Sequence, residues 1–144
     1  MRCTRWARSR RVAAELNRNH DGRVVPVECD VTKASAVRDL VDTAIDEFGD
    51  IRVLVNNAGG AQESADLLHR CDEDEFEWMF ELNLKAPFLL ARECLPAMIA
   101  SGGGSMIHVG SVNGLFGIGL SGYSEAKSGL LALSRNIATH YGRY

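Results

Sequence analysis

The sequence predicts an α/β fold, a doubly wound parallel sheet with helices between its strands, and three observations carry that prediction. Short β-branched runs at residues 23–29, 51–55 and 105–109 alternate with stretches of helical periodicity. The middle run, IRVLV, is nearly all apolar, as a strand covered on both faces should be. Polar or glycine-bearing residues close each run, namely Asp30, Asn56 to Gly60 and Ser111, and in such sheets ligands bind beyond the carboxyl ends of the strands.

The elements follow in order. Residues 8–19, RSRRVAAELNRN, fit an amphipathic helix closed by the His20-Asp21-Gly22 turn. Pro26 inside RVVPVEC marks a strand with at least one unpaired edge. Thr32 is placed to cap a helix reaching Phe48, carried by Val37, Leu40, Val41, Ala44 and Ile45 and stopped by Gly49. A long helix runs from Asp72 towards Ala100 on a stripe of Phe76, Met79, Phe80, Leu84 and Phe88, and Gly102 to Gly104 break it. The last helix starts at Ser121 or Gly122 and continues through Ala126, Leu130, Leu131, Leu133 and Ile137.

Composition bounds the function. A chain of 144 residues is one domain's worth, and 46% hydrophobic with 24% charged residues is a globular balance rather than a disordered one. Seven arginines against two acids in residues 1–23 suit a nucleic-acid arm, a targeting peptide or an amphipathic helix, and Ala13, Ala14 and Leu16 favour the helix. The remainder is acidic and lacks an aromatic-interleaved basic surface, so nucleic acid is not an expected partner. Cys3, Cys29, Cys71 and Cys94 have no CxxC pairing and no His at ligand spacing, which indicates neither a disulfide framework nor a metal and suits a cytoplasmic chain. No run approaches the roughly 18 uninterrupted apolar residues of a membrane span.

The chemistry gathers at residues 111–127, SVNGLFGIGLSGYSEAK. Tyr123 and Lys127 stand four apart, so on a helix the phenol and the ammonium share one face. A cation there favours phenolate over phenol and makes the tyrosine a candidate proton donor and acceptor; a solvated helix face has the same spacing. Asn56-Asn57-Ala58-Gly59-Gly60 lets the backbone approach a ligand closely, or forms an ordinary turn. Pro87 lacks an N–H for the carbonyl of Asn83, which either kinks the helix or leaves a polar group able to hold a water.

Cys29-Asp30-Val31, Leu54-Val55-Asn56-Asn57-Ala58-Gly59, Asn83 in FELNLKAPF, Ser111 after SMIHVG, and Tyr123-Ser-Glu-Ala-Lys127 together resemble the ordered motifs of the short-chain dehydrogenase/reductase family, of the single-domain kind, from about Val12 to Tyr144. The resemblance implies a Rossmann-type sheet that binds NAD or NADP and moves hydride between cofactor and a carbonyl or alcohol. It implies that Tyr123 exchanges the proton with the substrate oxygen, while Lys127 favours the phenolate and holds the nicotinamide ribose. Ser111 would hydrogen-bond the substrate oxygen and Asn83 would hold a relay water. Asp30 and the backbone at Val31 would meet the adenine, and Asn57, Ala58 and Gly59 would line the cofactor. Helices 72–100 and 122–141 would pair across a two-fold axis in a homo-oligomer.

The sequence departs from the family at both ends. It holds no TGxxxGxG turn, its first glycine being Gly22, and no APG-like turn or substrate-closing segment follows Tyr144. Residues 1–144 therefore read as a single, incomplete NAD(P)-binding domain, either an internal fragment or a mis-started and truncated reading of a longer gene. Its runs at 23–29, 51–55 and 105–109 stand as the family's third, fourth and fifth strands, of which only the last two remain neighbours. Exposed edges then predict poor stability and weak cofactor affinity in isolation. The alternative to an oxidoreductase is a catalytically inactive remnant that at most mediates subunit association. Arg5, Arg8, Arg10 and Arg11 tilt the cofactor choice towards NADP, and an apolar wall at Gly114, Leu115, Phe116, Ile118 and Leu120, with residues 61–68, is the expected substrate side.

Overall fold

A computed structural model describes residues 2–61, 67–119 and 121–144. In chain order the elements are α1 (Arg2–Asn19), α2 (Ala34–Phe48), β1 (Val53–Asn56), a 3₁₀ turn (Leu68–Arg70), α3 (Glu73–Phe80), a π-helical turn (Glu81–Lys85), α4 (Ala86–Ala100), β2 (Ser105–His108), α5 (Val112–Phe116) and α6 (Tyr123–Tyr141). The α/β rhythm holds, with β1 and β2 paired in parallel so that Asn56 lies opposite His108.

The run at 23–29 has no regular secondary structure and joins no sheet, which corrects the first expected strand. A strand is defined by its ladder, and here a side chain takes the place of a neighbouring strand. Asn17 of α1 donates from Nδ2 to the carbonyl of Val24 at 2.8 Å, and its Oδ1 accepts from the Val24 N–H at 2.7 Å. The expected Thr32 cap is corrected as well. Lys33 is the residue before α2, with no side-chain cap, while Thr32 donates through N and Oγ1 to Oδ1 of Asp30 at 3.1 and 2.7 Å. Thr32 thus closes an Asx-type turn one step before the helix. Gly49, at φ 84°, ends α2 as expected.

The core lies between α2, α4 and one face of the sheet. Val37 packs with Leu89 and Leu90, and Val41 with Cys94 and Met98, with Leu54 and Met106 of the strands reaching the same clusters. The opposite face carries Val53, Val55 and Ile107, each more than half exposed, together with Val109. Two strands with only one covered face explain why the nearly all-apolar IRVLV run ends half in solvent.

The long helix expected over 72–100 is interrupted. Asp72 starts it, its carboxylate accepting from the N–H groups of Asp74 and Glu75 at 3.0 and 3.2 Å. Over residues 81–85 it widens, so that the N–H of Ala86 donates to the carbonyl of Glu81, five residues back. Pro87 lies immediately beyond and supplies no N–H, and α4 then proceeds. The distortion expected at Pro87 is therefore a π turn, and it drives Asn83 to complete burial.

Candidate active site

Helix α6 opens on Tyr123, which is half-buried, and Lys127 lies one turn further in, 5% exposed. The Lys127 ammonium stands 5.7 Å from the centroid of the Tyr123 ring, so the spacing of four does put both groups on one face. Nζ donates to the carbonyl of Val109 at 2.8 Å, just past the end of β2. Burial pushes the ammonium's pKa down, because the charged form loses water. A partly desolvated cation acts more strongly on a neighbouring oxygen than an exposed one.

Asn83 and this cation both lie against Gly59. Nδ2 of Asn83 donates to the carbonyls of Met79 at 2.9 Å and Gly60 at 2.8 Å, and its Oδ1 accepts from the Gly60 N–H at 3.0 Å. The amide thus clasps the backbone of Gly60 as a strand neighbour would. Gly59 sits inside the clasp: a Cβ there would lie 2.9 Å from Oδ1 of Asn83 and 3.3 Å from Nζ of Lys127. Glycine at 59 is required by space, not by backbone strain, since its φ is not in the left-handed region. Asn57, Ala58 and Gly59 are exposed beyond β1, so their backbone is open to a ligand.

Ser111 lies in extended backbone two residues after Val109 and caps α5, its Oγ accepting from the Asn113 N–H at 3.2 Å. Helix α5 is seated on α6 through Gly114, where a Cβ would meet the Lys127 carbonyl carbon at 2.7 Å and the Ser128 nitrogen at 2.8 Å. Ser128 Oγ donates to the Gly114 carbonyl at 2.7 Å. The turn carrying Ser111 is therefore fixed against the helix carrying Tyr123 and Lys127. Beyond it Val112, Leu115, Phe116 and Ile118 stand exposed as an apolar wall, while Leu120 and residues 62–66 lie outside the described residues.

Asp30 and Val31 occupy the turn before α2. Asp30 is exposed with its carboxylate engaged by Thr32, and Val31 packs against the Val37 cluster. Sequence reasoning missed the Val109 carbonyl, the seat at Gly114 and a cross-strand contact of Asn56 with His108, all set by pairing and packing between distant segments. No cluster of His, Cys, Asp and Glu suited to a metal occurs among the described residues, and none of their helices is long and apolar enough to cross a membrane.

Comparison with known proteins gives this arrangement a family. The short chain dehydrogenase family pattern matches residues 3–144. The chain is 34% identical over 133 residues to 7alpha-hydroxysteroid dehydrogenase of Bacteroides fragilis, covering 91% of this chain and 51% of that protein. It is 40% identical over 114 residues to the 3-oxoacyl-[acyl-carrier-protein] reductase MabA of Mycobacterium bovis, covering 78% and 45% respectively. A solved structure of levodione reductase superposes with a TM-score of 0.86 at 34% identity, over 92% of this chain and 52% of that one. The chain spans about half the length of the curated relatives it matches. On the pattern, the relatives and the superposition together, the chain belongs to the short chain dehydrogenase family of oxidoreductases, with a partial Rossmann-type α/β fold.

Proposed function

We propose that this chain carries the proton-transfer site of an oxidoreductase acting on a carbonyl or alcohol with NAD or NADP. The observation that carries the reading is the convergence of the Lys127 ammonium, the Tyr123 ring and the Asn83–Gly60 clasp around Gly59. Tyr123 exchanges the proton with the substrate oxygen, and Lys127, anchored on Val109, stabilises the phenolate that remains. Ser111 hydrogen-bonds the substrate oxygen from the turn fixed by Gly114. Asn83 has its side-chain amide engaged by Gly60 and Met79, so it acts first by holding the Gly59–Gly60 backbone beside Lys127. Any relay water at this residue belongs to its backbone carbonyl, at the widened turn.

The nicotinamide end of a cofactor fits these residues: the backbone of Asn57, Ala58 and Gly59 is open, and a buried cation stands next to it. When bound, NAD(P)(H) supplies or takes the hydride. Lys127 would hold its ribose, and Asp30 and Val31 would meet its adenine. The N-terminal arginines tilt the choice to NADP. The exposed apolar residues after Ser111 favour a substrate with an apolar body. Cys29 and Cys94 are held as thiols, in no disulfide, which supports a cytoplasmic setting.

A second reading is an inactive chain that at most mediates subunit association. It is favoured by the uncovered face of the two-stranded sheet and by an apolar groove of about 490 Å³ between Phe76, Phe80, Leu84, Phe88 and Leu133, where a second copy of these helices would pack. In both readings residues 1–144 form one NAD(P)-binding-type domain. Fluorescence titration with NADH and NADPH separates the two readings. Saturable binding, tighter for NADPH, supports the first, and no binding together with concentration-dependent dimerisation supports the second.

A further inference from the structure

We propose that His108 is a positioning residue of this site, holding through Asn56 the strand ends from which Val109 offers its carbonyl to Lys127. The inference rests on the reading just given. At the last pair of the β1–β2 ladder, Nδ2 of Asn56 and Nδ1 of His108 are 3.1 Å apart. Asn56 is 4% exposed, and the next rung is the backbone bond from the Val109 N–H to the Asn56 carbonyl, at 3.0 Å. The Val109 carbonyl, on the other side of the same residue, accepts from Lys127. Asn56 also leads directly into Asn57, Ala58 and Gly59, so one side-chain pair governs both the lysine's anchor and the start of the cofactor loop.

The contact requires a particular protonation state. With the amide turned so that Nδ2 faces the ring, Nδ1 accepts and the imidazole is neutral with its proton on Nε2, which leaves Nε2 of His108 and Oδ1 of Asn56 buried without a hydrogen-bond partner. Protonated, Nδ1 becomes a donor facing a donor, and the contact is lost or the amide must turn over. Burial holds the imidazole's pKa below its usual value, so the neutral form persists into mild acid. Among the described residues no Asp, Glu, Lys or Arg side chain lines the cavity of about 420 Å³ beside His108, where α4 and α6 contribute mostly apolar side chains; its other titratable groups are the phenols of Tyr141 and Tyr144 and the Tyr144 main-chain carboxylate, beside Gly103. The opposing strand presents Asn56. No acidic side chain among the described residues lining that cavity is placed to stabilise an imidazolium.

The test combines three measurements on the full chain. In ¹⁵N-histidine-labelled protein the imidazole of His108 should show the Nε2–H tautomer at pH 8; the Nδ1–H tautomer overturns the proposal. In ¹⁵N-lysine-labelled protein the Lys127 Nζ signal should shift and broaden in His108→Leu and return in His108→Asn, whose amide can again pair with Asn56. An unchanged signal in His108→Leu overturns the proposal, and so does one that His108→Asn fails to restore. NADPH affinity should weaken about 2- to 10-fold in His108→Leu at pH 8, the range of one net hydrogen bond. In the native chain it should fall as pH drops through the titration of His108, a limb that His108→Asn removes. An acid limb that survives in His108→Asn overturns the proposal. If the native chain binds neither NADPH nor NADH, the proposed function fails, and the tautomer and Lys127 signals still decide the role of His108.

Discussion

Replacing Gly59 with alanine tests the site at the point where its parts are closest. The new methyl would stand 2.9 Å from Oδ1 of Asn83, closer than real Cβ atoms come, and 3.3 Å from Nζ of Lys127, tighter than most Cβ contacts. Neither neighbour yields freely, because Oδ1 is held by the Gly60 N–H at 3.0 Å and Nζ by the Val109 carbonyl at 2.8 Å. The backbone at 59 is not in the left-handed region, so alanine adds no conformational strain and the effect is steric. Disturbing both bonds of the Asn83–Gly60 clasp, at about 0.5–1.5 kcal/mol net each, gives a loss of about 1–3 kcal/mol. Gly60→Ala is the control, since a Cβ there meets nothing within 4 Å. Hydrogen exchange of the residue-60 amide reads the clasp directly and should quicken about 5- to 100-fold in Gly59→Ala, but little in Gly60→Ala. Equal exchange in the two variants would refute the reasoning, because the clasp would then not depend on the space at 59.

Three further outcomes are expected. Gly114→Ala forces a methyl against the backbone of Lys127 and Ser128 and should cost about 1–3 kcal/mol, seen as a lower urea midpoint; an unchanged midpoint contradicts the α5–α6 seat. Cys94, whose thiol is pushed up to about 11 by burial and then by the Glu93 carboxylate, should be the last of the described thiols alkylated by iodoacetamide at pH 8, and early modification by mass spectrometry contradicts its place in the α2–α4 core. The exposed face of Val53, Val55 and Ile107 should make the isolated chain associate as its concentration rises in light scattering, whereas a monomer with a sharp cooperative melt would show that the two-stranded sheet suffices.

Much of this fold is legible along the chain because helices are written locally. The stripe of Val37 and Val41, the helix start at Asp72 and the Gly49 stop depend on residues within a turn or two of one another, and they stand where the local sequence puts them. Residues 23–29 have strand composition, but a ladder needs a partner, and Asn17 supplies a side chain where a strand was expected. Pro87 signals a disturbance in the long helix without saying whether the turn kinks or widens. Helix α5, at five residues, is too short for periodicity to reveal. At the site, Tyr123 and Lys127 are visible as a spacing, whereas the Val109 carbonyl and the Asn56–His108 contact depend on register between strands about fifty residues apart.

The most direct test of the proton-transfer site is ketone reduction by the native chain and by Tyr123→Phe, followed by the loss of NADPH or NADH. If the phenol donates the proton and Lys127 holds the ribose, the native chain should show measurable reduction, Tyr123→Phe should lose at least about 100-fold, and its cofactor affinity should stay within about threefold of native. Reduction at the native rate by Tyr123→Phe, or none by a native chain that binds cofactor, would contradict it.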